Sequence, residues 1–281
     1  MSALTSISDL VNRMTGGNSG TPENVFFFKD YKIAGVADTW ATGLMYSTWL
    51  YDGFPGGASA PTTVAAPTNA TAGAMPFTSP GGGREKWLIQ LAMSCTGSNL
   101  ASVLLYDRLL HIGDLSGTVV TAQTVAGALT RNTGGEGNMI FVEVYTAVGT
   151  TARTITASYT NQAGTAGRTT RAVTFGGTAG TLGNDANLFI PLPLQAGDSG
   201  VQAVASVTIS ATTGTAGNFG VVVAKPVAWV PLGYWMNTNR DFTLGPAGMP
   251  ELETGACLAT ALLASGTSEA IFYGMFCTVE A

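Results

Sequence analysis

The chain has 281 residues, of which 46% are apolar, only 10% are charged and 37 are glycine, and its net charge is −5. Soluble globular chains carry about 25% charged residues and about 7% glycine, so this composition is typical of a turn-rich β protein with neutral surfaces. The twelve basic residues are scattered singly, which argues against nucleic-acid binding. The longest apolar runs fall far short of the roughly 20 residues that span a bilayer, so no membrane partner is expected.

A short amphipathic helix is predicted over residues 3–14, which read ALTSISDLVNRM. Its apolar residues fall at helical spacing, and these are Leu4, Ile7, Leu10, Val11 and Met14. Gly16 and Gly17 follow and end the helix. The start of the chain lacks a basic region followed by an apolar stretch, so we expect no signal peptide and folding in the cytoplasm.

An extended arm or long surface loop is predicted over residues 18–84. Two aromatic stretches, NVFFFKDYKIAG and WATGLMYSTWLYDGF, precede PGGASAPTTVAAPTNATAGAMPFTSPGGG, which carries no charge. Proline and glycine punctuate this last stretch too often for a helix or a central strand. We expect contact with the body of the protein or with a neighbour to order the segment, the alternative being a free disordered linker.

Regular strand signals follow Arg84, and most are bounded by turn residues. The candidate strands are residues 86–95, 101–110, 138–147, 153–160, 168–175, 186–194, 201–210, 218–232, 255–264 and 269–280. Residues 153–175 read RTITASYTNQAGTAGRTTRAVTF and predict a hairpin, because apolar and hydroxyl side chains alternate on either side of a turn. Arg168 and Arg171 are expected on its outer side.

The fold predicted from this pattern is all-β: a two-sheet antiparallel jelly-roll-like sandwich with a short N-terminal helix and an extended arm. The domains are the helix and arm over residues 1–84 and the β body over residues 85–281. Proline cannot donate to a strand ladder, so Pro191 with Pro193, and Pro226 with Pro231, indicate two protected sheet edges.

The sequence offers no catalytic, cofactor or metal site. His111 is the single histidine and stands in no nucleophile motif, so we interpret it as structural. Glu143 lies within an alternating strand and is expected on its polar face, solvated or ion-paired. The loops at 183–187 and 196–200 could offer oxygen ligands to calcium, but no repeat of acidic positions supports such a site.

The three cysteines, Cys95, Cys257 and Cys277, lack the close spacing of a zinc or redox motif. We expect buried apolar thiols. A Cys257–Cys277 pair across adjacent strands stays open as an alternative, although a reducing compartment does not require it.

Aromatic side chains are the candidate interface residues, because such residues dominate protein–protein contacts. They are Phe26, Phe27, Phe28, Trp40, Trp49, Trp229 and Trp235. Core packing and a sugar-stacking platform are the alternatives.

Three segments resemble structural proteins of tailed-bacteriophage virions. They are FIPLPLQAGDSGVQAVASVTIS, GNFGVVVAKPVAWVPLG and LLYDRLLHIGDLSG, and the resemblance covers residues 86–281. The nearest type is the jelly-roll cement or decoration protein that sits on a capsid lattice. The resemblance implies a homotrimer bound to major capsid protein on the virion exterior, with no catalytic residues.

The expected function is therefore that of a non-enzymatic virion protein that binds and stabilises the capsid lattice through its β body and N-terminal arm. The alternatives are another virion component (a head fibre, a collar or tail protein, or a receptor- or glycan-binding adhesin) and a β-sandwich hydrolase or lectin. A hydrolase would need a cleft containing His111 or clustered acids.

Overall fold

The structure is a computed structural model. It describes residues 6–16, 22–30, 40–96, 101–178, 185–233, 236–243, 248–266 and 271–280. Helix α1 spans Ile7–Met14. The strands are β1 Glu23–Asp30, β2 Met45–Ser47, β3 Asp52–Phe54, β4 Lys86–Cys95, β5 Ala101–Leu115, β6 Gln123–Thr124, β7 Met139–Thr146, β8 Arg153–Asn161, β9 Arg168–Thr169, β10 Val173–Phe175, β11 Phe189–Leu192, β12 Val201–Ile209, β13 Asn218–Leu232, β14 Thr238–Asp241, β15 Leu258–Ala264 and β16 Ile271–Glu280.

The strands form three antiparallel sheets in the described part of the chain. Sheet A has the order β14-β4-β16-β1-β3, and sheet B has the order β11-β7-β13-β5-β15-β2. Sheet C has the order β10-β8-β12-β6, with β9 paired to β8. The predicted all-β antiparallel sandwich with a short N-terminal helix is confirmed, although the hydrogen bonds divide it into three sheets and not two.

One apolar core joins the three sheets. Alternate residues point inward on each strand, such as Phe27 and Leu91 from sheet A, Val142 and Val223 from sheet B, and Val207 from sheet C. These side chains are buried and belong to a single cluster. The sandwich is therefore held by one shared interior.

Helix α1 begins at Ser6, whose Oγ accepts a hydrogen bond from the backbone N–H of Asp9 at 3.1 Å. Such a cap satisfies an N–H that the helix leaves unpaired. Leu10 is the apolar helix residue that is buried, and it packs in a cluster with Ile89, Cys277 and Val279. The predicted helix thus docks on sheet A, and its predicted residues 3–5 lie outside the described ranges.

Most of the predicted strands are present within a few residues of their expected bounds. The predicted hairpin at 153–175 forms, because β9 and β10 both pair with β8. Arg171 is exposed there as expected, while Arg168 is half-buried and pairs with Asp198 at 2.9 Å. All three cysteines are buried free thiols, as predicted, so the Cys257–Cys277 alternative does not occur.

Of the two strands that carry the prolines, β11 is an edge strand, whereas β13 is unpaired on one side over only part of its length. Strand β11, with Pro191, is the outermost strand of sheet B, as predicted. Strand β13 pairs with β5 along almost its whole length, but it pairs with β7 only over residues 218–224. Pro226 and Pro231 therefore lie where β13 has one ladder partner, which corrects the prediction of a whole edge strand.

The predicted arm is part of the same sheets and core where it is described. Strand β1 lies between β16 and β3 in sheet A, and β2 is the last strand of sheet B. Residues 55–84 are mostly irregular, as predicted, and bring Met75 and Phe77 into the core. Where it is described, this segment contacts the body of its own chain.

No helix within the described ranges combines the length and apolar character needed to cross a membrane.

Candidate interaction surface and buried polar cluster

The outer face of sheet A carries apolar side chains in register across neighbouring strands. Phe26 of β1 pairs with Met275 of β16, and Phe28 pairs with Tyr273. Phe28 also pairs with Phe54 of β3 on its other side. Directly paired residues of antiparallel strands share one face of the sheet. We call these five residues, Phe26, Phe28, Phe54, Tyr273 and Met275, the outer patch.

The outer patch is open to solvent. The exposed fraction is 52% for Phe26, 48% for Phe54, 39% for Met275 and 36% for Tyr273, and Phe28 is half-buried. A shallow groove of about 190 Å³ lies between Phe26, Tyr273 and Met275 of the patch and the neighbouring strand β4, and its lining residues are all uncharged. A sheet that faces water on one side normally presents polar residues there. This face does not follow that pattern.

Helix α1 lies at one end of the same face. Cys277 follows Met275 on the outward side of β16 and is covered by the cluster that contains Leu10. The helix in turn exposes Ile7 and Val11, each by more than half of its surface. Helix α1 therefore also carries exposed apolar side chains.

The structure places the predicted aromatic residues in two different environments. Phe27, Trp40 and Trp49 are buried inside the chain. This corrects their prediction as interface residues, because a side chain without accessible surface cannot contact a partner. They are core residues, which was the alternative interpretation.

The remaining predicted aromatics are at the surface or outside the described ranges. Phe26 and Phe28 belong to the outer patch, whereas Trp229 is partly exposed on β13 of sheet B. Trp235 lies outside the described residues. The interface role of the exposed residues stays a prediction.

Sequence reasoning missed Phe54, Tyr273 and Met275. The stretch EAIFYGMFCTVE places apolar residues on both faces of its strand, which indicates burial on both sides. In the structure, one face of β16 is buried throughout, whereas the other face is exposed at Tyr273 and Met275. The apolar residues on both faces of β16 were therefore the signal in the sequence that could have indicated the outer patch.

The outer face of sheet B, in contrast, is covered by the chain itself. Residues 48–75, which we call the cover segment, contribute β3 to sheet A, and on sheet B they bring Trp49 and Ala74 against an apolar layer on this face. In that layer the rings of Phe141 and Phe189 stack at 4.2 Å. The cover segment thus buries much of the second face of sheet B, although Trp229 of β13 stays exposed.

A buried polar cluster lies within this covered face. The Nη2 of Arg108 donates to Oε2 of Glu143 and, at 3.0 Å, to Oη of Tyr145. The Oη of Tyr145 donates to the same carboxylate at 2.7 Å. Trp49 lies over the guanidinium, whose Cζ is 4.3 Å from the ring centroid.

Strand β13 lies between the strands that carry the two charged residues. Its Gly220 pairs with Glu143, and a Cβ there would clash with the backbone oxygen of Ile112 and lie 2.9 Å from a Tyr145 ring carbon. Glu143 is itself 1% exposed, so its predicted surface position is wrong, although its predicted ion pair is present. Burial would raise the pKa of Glu143, but the charge and hydrogen bond of Arg108 lower it overall.

His111 has a structural position in this cluster. Its Nδ1 accepts a hydrogen bond from Nε of Arg108 at 2.9 Å, and its backbone pairs with Ala65 of the cover segment. Burial and the neighbouring guanidinium lower the pKa of His111 to about 3. A neutral imidazole that already accepts from a cation is held in place and is closed to solvent.

The candidate calcium loops do not assemble a metal site in the described residues, where no group of three or more His, Cys, Asp or Glu side chains converges. Residues 183–184 lie outside the described ranges. In the other loop, the carboxylate of Asp198 accepts from Arg168, from Oη of Tyr159 at 2.5 Å and from Nδ2 of Asn161 at 2.7 Å. Its oxygens are already engaged by protein donors.

No protein-family model matches the chain. No curated protein matches it either.

Solved structures of a virus particle show a weak likeness. Derived T=1 particles of infectious bursal virus match at 10% identity and a TM-score of 0.21, over 93% of this chain and 78% of that chain. The VP2 subviral particle of infectious bursal disease virus matches at 10% identity and a TM-score of 0.19, over 92% of this chain and 80% of that chain. TM-scores this low carry no argument about fold or function.

Proposed function

We propose that this protein is a non-enzymatic structural component of a virion that binds and stabilises the capsid lattice as a cement, decoration or minor capsid protein. Its partners are the major capsid protein of the same virus and further copies of itself in a homotrimer. Its location is the capsid exterior of a tailed bacteriophage.

The outer patch is the observation that carries this proposal. Contiguous exposed apolar surface on a soluble chain marks an interaction site, because water leaves such surface when a partner covers it. Aromatic side chains and methionine are enriched in the centres of such interfaces, and charged residues are depleted there. The outer patch has both properties.

The placement of charge supports a stabilising role over a catalytic one. Two ion pairs, Arg108–Glu143 and Arg131–Asp107, are almost completely buried. His111 is held by Arg108 and closed in by the cover segment. These five groups are therefore used within the fold and do not line the groove of the outer patch.

A lattice suits a small apolar patch, because many copies compensate for a modest affinity at each contact. Once one subunit of an oligomer is bound, the others bind at a high effective concentration. In this proposal the exposed Ile7 and Val11 of α1 add to the contact. The lattice contact expected of the N-terminal arm then belongs to the helix, since the described residues from 40 to 84 belong to the fold of their own chain.

The test is retention on capsids. The double variant F26S/M275S removes two exposed apolar side chains from the outer patch, and V119S/V120S removes two exposed valines outside it. Each protein is mixed with particles of the same virus that lack it, and bound protein is measured by co-sedimentation. We expect retention to fall at least tenfold for F26S/M275S and to stay unchanged for V119S/V120S.

Equal retention of both variants would overturn the outer patch as the lattice contact. Electron microscopy of particles that carry the wild-type chain tests the location independently, because sheet A should face the shell. Density for the chain at a fibre tip or tail would favour the alternative virion roles.

A further inference from the structure

The apolar surface of sheet A continues from the outer patch to a part that helix α1 covers. Residues two apart on a strand point to the same face. The outward row on β16 therefore consists of Tyr273, Met275, Cys277 and Val279. The first two are exposed, whereas Cys277 and Val279 are buried in a cluster with Leu10 of α1 and Ile89 of β4. We call Ile89, Cys277 and Val279 the shielded end.

Few side chains of α1 hold it on the shielded end. Leu10 and Arg13 are the buried residues of the helix, and Leu10 is the apolar one. Arg13 pairs through Nε with Oδ1 of Asp9 at 3.1 Å, so this ion pair is internal to the helix. Isolated helices shorter than about 12–15 residues are marginal in water, so an eight-residue helix depends on such contacts for its place.

The helix presents its larger apolar stripe to solvent. Ile7, Val11 and Met14 follow one another at intervals of four and three residues, so they share one side of the helix, and all three are exposed. An amphipathic helix of a globular protein normally turns its apolar stripe to the core. The caps of the helix are also local, because Ser6 caps its first turn and Oγ1 of Thr15 donates to the carbonyl oxygen of Val11 at 3.1 Å.

We propose that α1 is a displaceable shield, which covers the shielded end in the free protein and leaves it when the protein binds the capsid lattice. The outer patch and the shielded end then form one continuous contact with the shell, an inference that rests on the proposed function. A ligand shifts such an equilibrium only if it prefers the open state. Burial of the whole outward row of β16, in place of half of it, supplies that preference. In the free protein the helix keeps the exposed apolar surface small, which limits association with wrong partners.

Labelling of cysteines in the free chain tests whether the helix opens. The full chain is treated with N-ethylmaleimide at constant pH, and peptide mass spectrometry follows Cys277 and the buried Cys257 of sheet B separately. We expect Cys277 to react at least tenfold faster than Cys257. L10A removes the inward leucine and should accelerate Cys277 at least tenfold more, without changing the rate of Cys257. S6A removes the helix cap at a distance from the cluster and should accelerate Cys277 severalfold, whereas I7A, on the exposed side of the helix, should change neither rate.

Two outcomes in the free chain would overturn the proposal. One is an equal rate at Cys277 and Cys257, and the other is a Cys277 rate that is the same in L10A, S6A and I7A. Faster labelling of Cys257 in L10A would show that this variant does not fold, and L10V then gives the same comparison.

Labelling on particles tests whether the shielded end belongs to the lattice contact. L10A is bound to particles that lack the protein, sedimented and labelled in the bound state. We expect retention at least equal to that of the wild type, and labelling of Cys277 at least tenfold slower than in free L10A, with Cys257 unchanged. Loss of retention, or fast labelling of Cys277 on the particles, would overturn the proposal. Equal retention of F26S/M275S and V119S/V120S would instead contradict the outer patch as the lattice contact, so the two failures are distinguishable.

Discussion

The outer faces of sheets A and B both carry aromatic side chains, but the chain covers one and leaves the other bare. Over sheet B the cover segment buries Trp49 against a layer that contains Phe141 and Phe189. Over sheet A no described segment plays this part beyond α1, and Phe26 and Phe54 are half exposed. The comparison separates an apolar face that stabilises the monomer from one that is available to a partner.

Polar groups mark the same difference. The covered face encloses the pair of Arg108 and Glu143, because a sealed interior can hold charges only when they are paired. The outer patch contains no charge, so a partner can cover it without the cost of desolvating an ion. The two faces are therefore distinguished by what surrounds them and not by their aromatic content.

The largest expected loss of folding stability comes from a substitution in the covered face of sheet B. Replacing Glu143 by Leu leaves the charge of Arg108 unpaired inside the protein, and loss of one partner of a buried pair costs about 3–5 kcal/mol. Urea unfolding followed by tryptophan fluorescence measures this loss. The double variant R108M/E143L should recover most of it. A cost below about 1 kcal/mol for E143L would show that solvent reaches the cluster.

Acidification should lower the folding stability of the protein through His111, which lies in the same covered face. Its pKa is about 3 in the folded chain, below the ordinary value of 6.5, so between these values the unfolded chain binds more protons. The free energy of unfolding must therefore fall as the pH is lowered from 6.5 to 3, by a few kcal/mol in total. The variant H111N keeps an acceptor for Arg108 but does not titrate. A difference in stability between wild type and H111N that does not change over this pH range would contradict the assigned role.

Lys29 offers a smaller test where the cover segment begins. Its Nζ donates to the carbonyl oxygens of Tyr51 at 3.1 Å and Pro55 at 2.8 Å. Replacing it by Met leaves these carbonyls unpaired and should cost about 1–3 kcal/mol in thermal or urea unfolding. K225M removes a half-buried lysine that pairs with Glu253 near the surface, and it serves as the control.

The same lysine predicts a pH effect of defined sign. Burial lowers the pKa of Lys29 to about 8, so the unfolded chain binds more protons between pH 8 and 10.5. The stability of the wild type relative to K29M should therefore increase as the pH rises through this range. A decrease would show that the lysine is not desolvated.

The smallest expected change in folding stability comes from substitutions in the outer patch of sheet A. F26S/M275S should change the free energy of unfolding by only about 0.5 kcal/mol, because surface substitutions rarely do more. The same variant is expected to lose binding to the lattice. A large loss of stability in the monomer would place these side chains in the core and remove the contrast between the two faces.

The fold was largely predictable from local pattern. Strands β4 and β8 occupy residues 86–95 and 153–161, close to the predicted 86–95 and 153–160, because alternation and turn residues are local signals. The buried free cysteines and the edge position of β11 followed from equally local chemistry. The burial of Trp40 and Trp49 did not, since it depends on contacts with distant strands.

The candidate site was predictable only in part. Phe26 and Phe28 were chosen for their aromatic character, but Phe27 came with them, although alternation along β1 points it to the opposite face. Phe54, Tyr273 and Met275 join the outer patch through pairing with β1, which connects residues far apart in the chain.

The amino-acid sequence by itself determined the β class, most strand positions and the electrically neutral character of the surface, since these depend on residue type and local spacing. Only the tertiary structure decided which apolar face is covered, because that depends on where residues 48–75 lie relative to the sheets. It also decided that Glu143 is buried, since its partner Arg108 lies 35 positions away, and only that pairing makes the burial of a carboxylate tolerable.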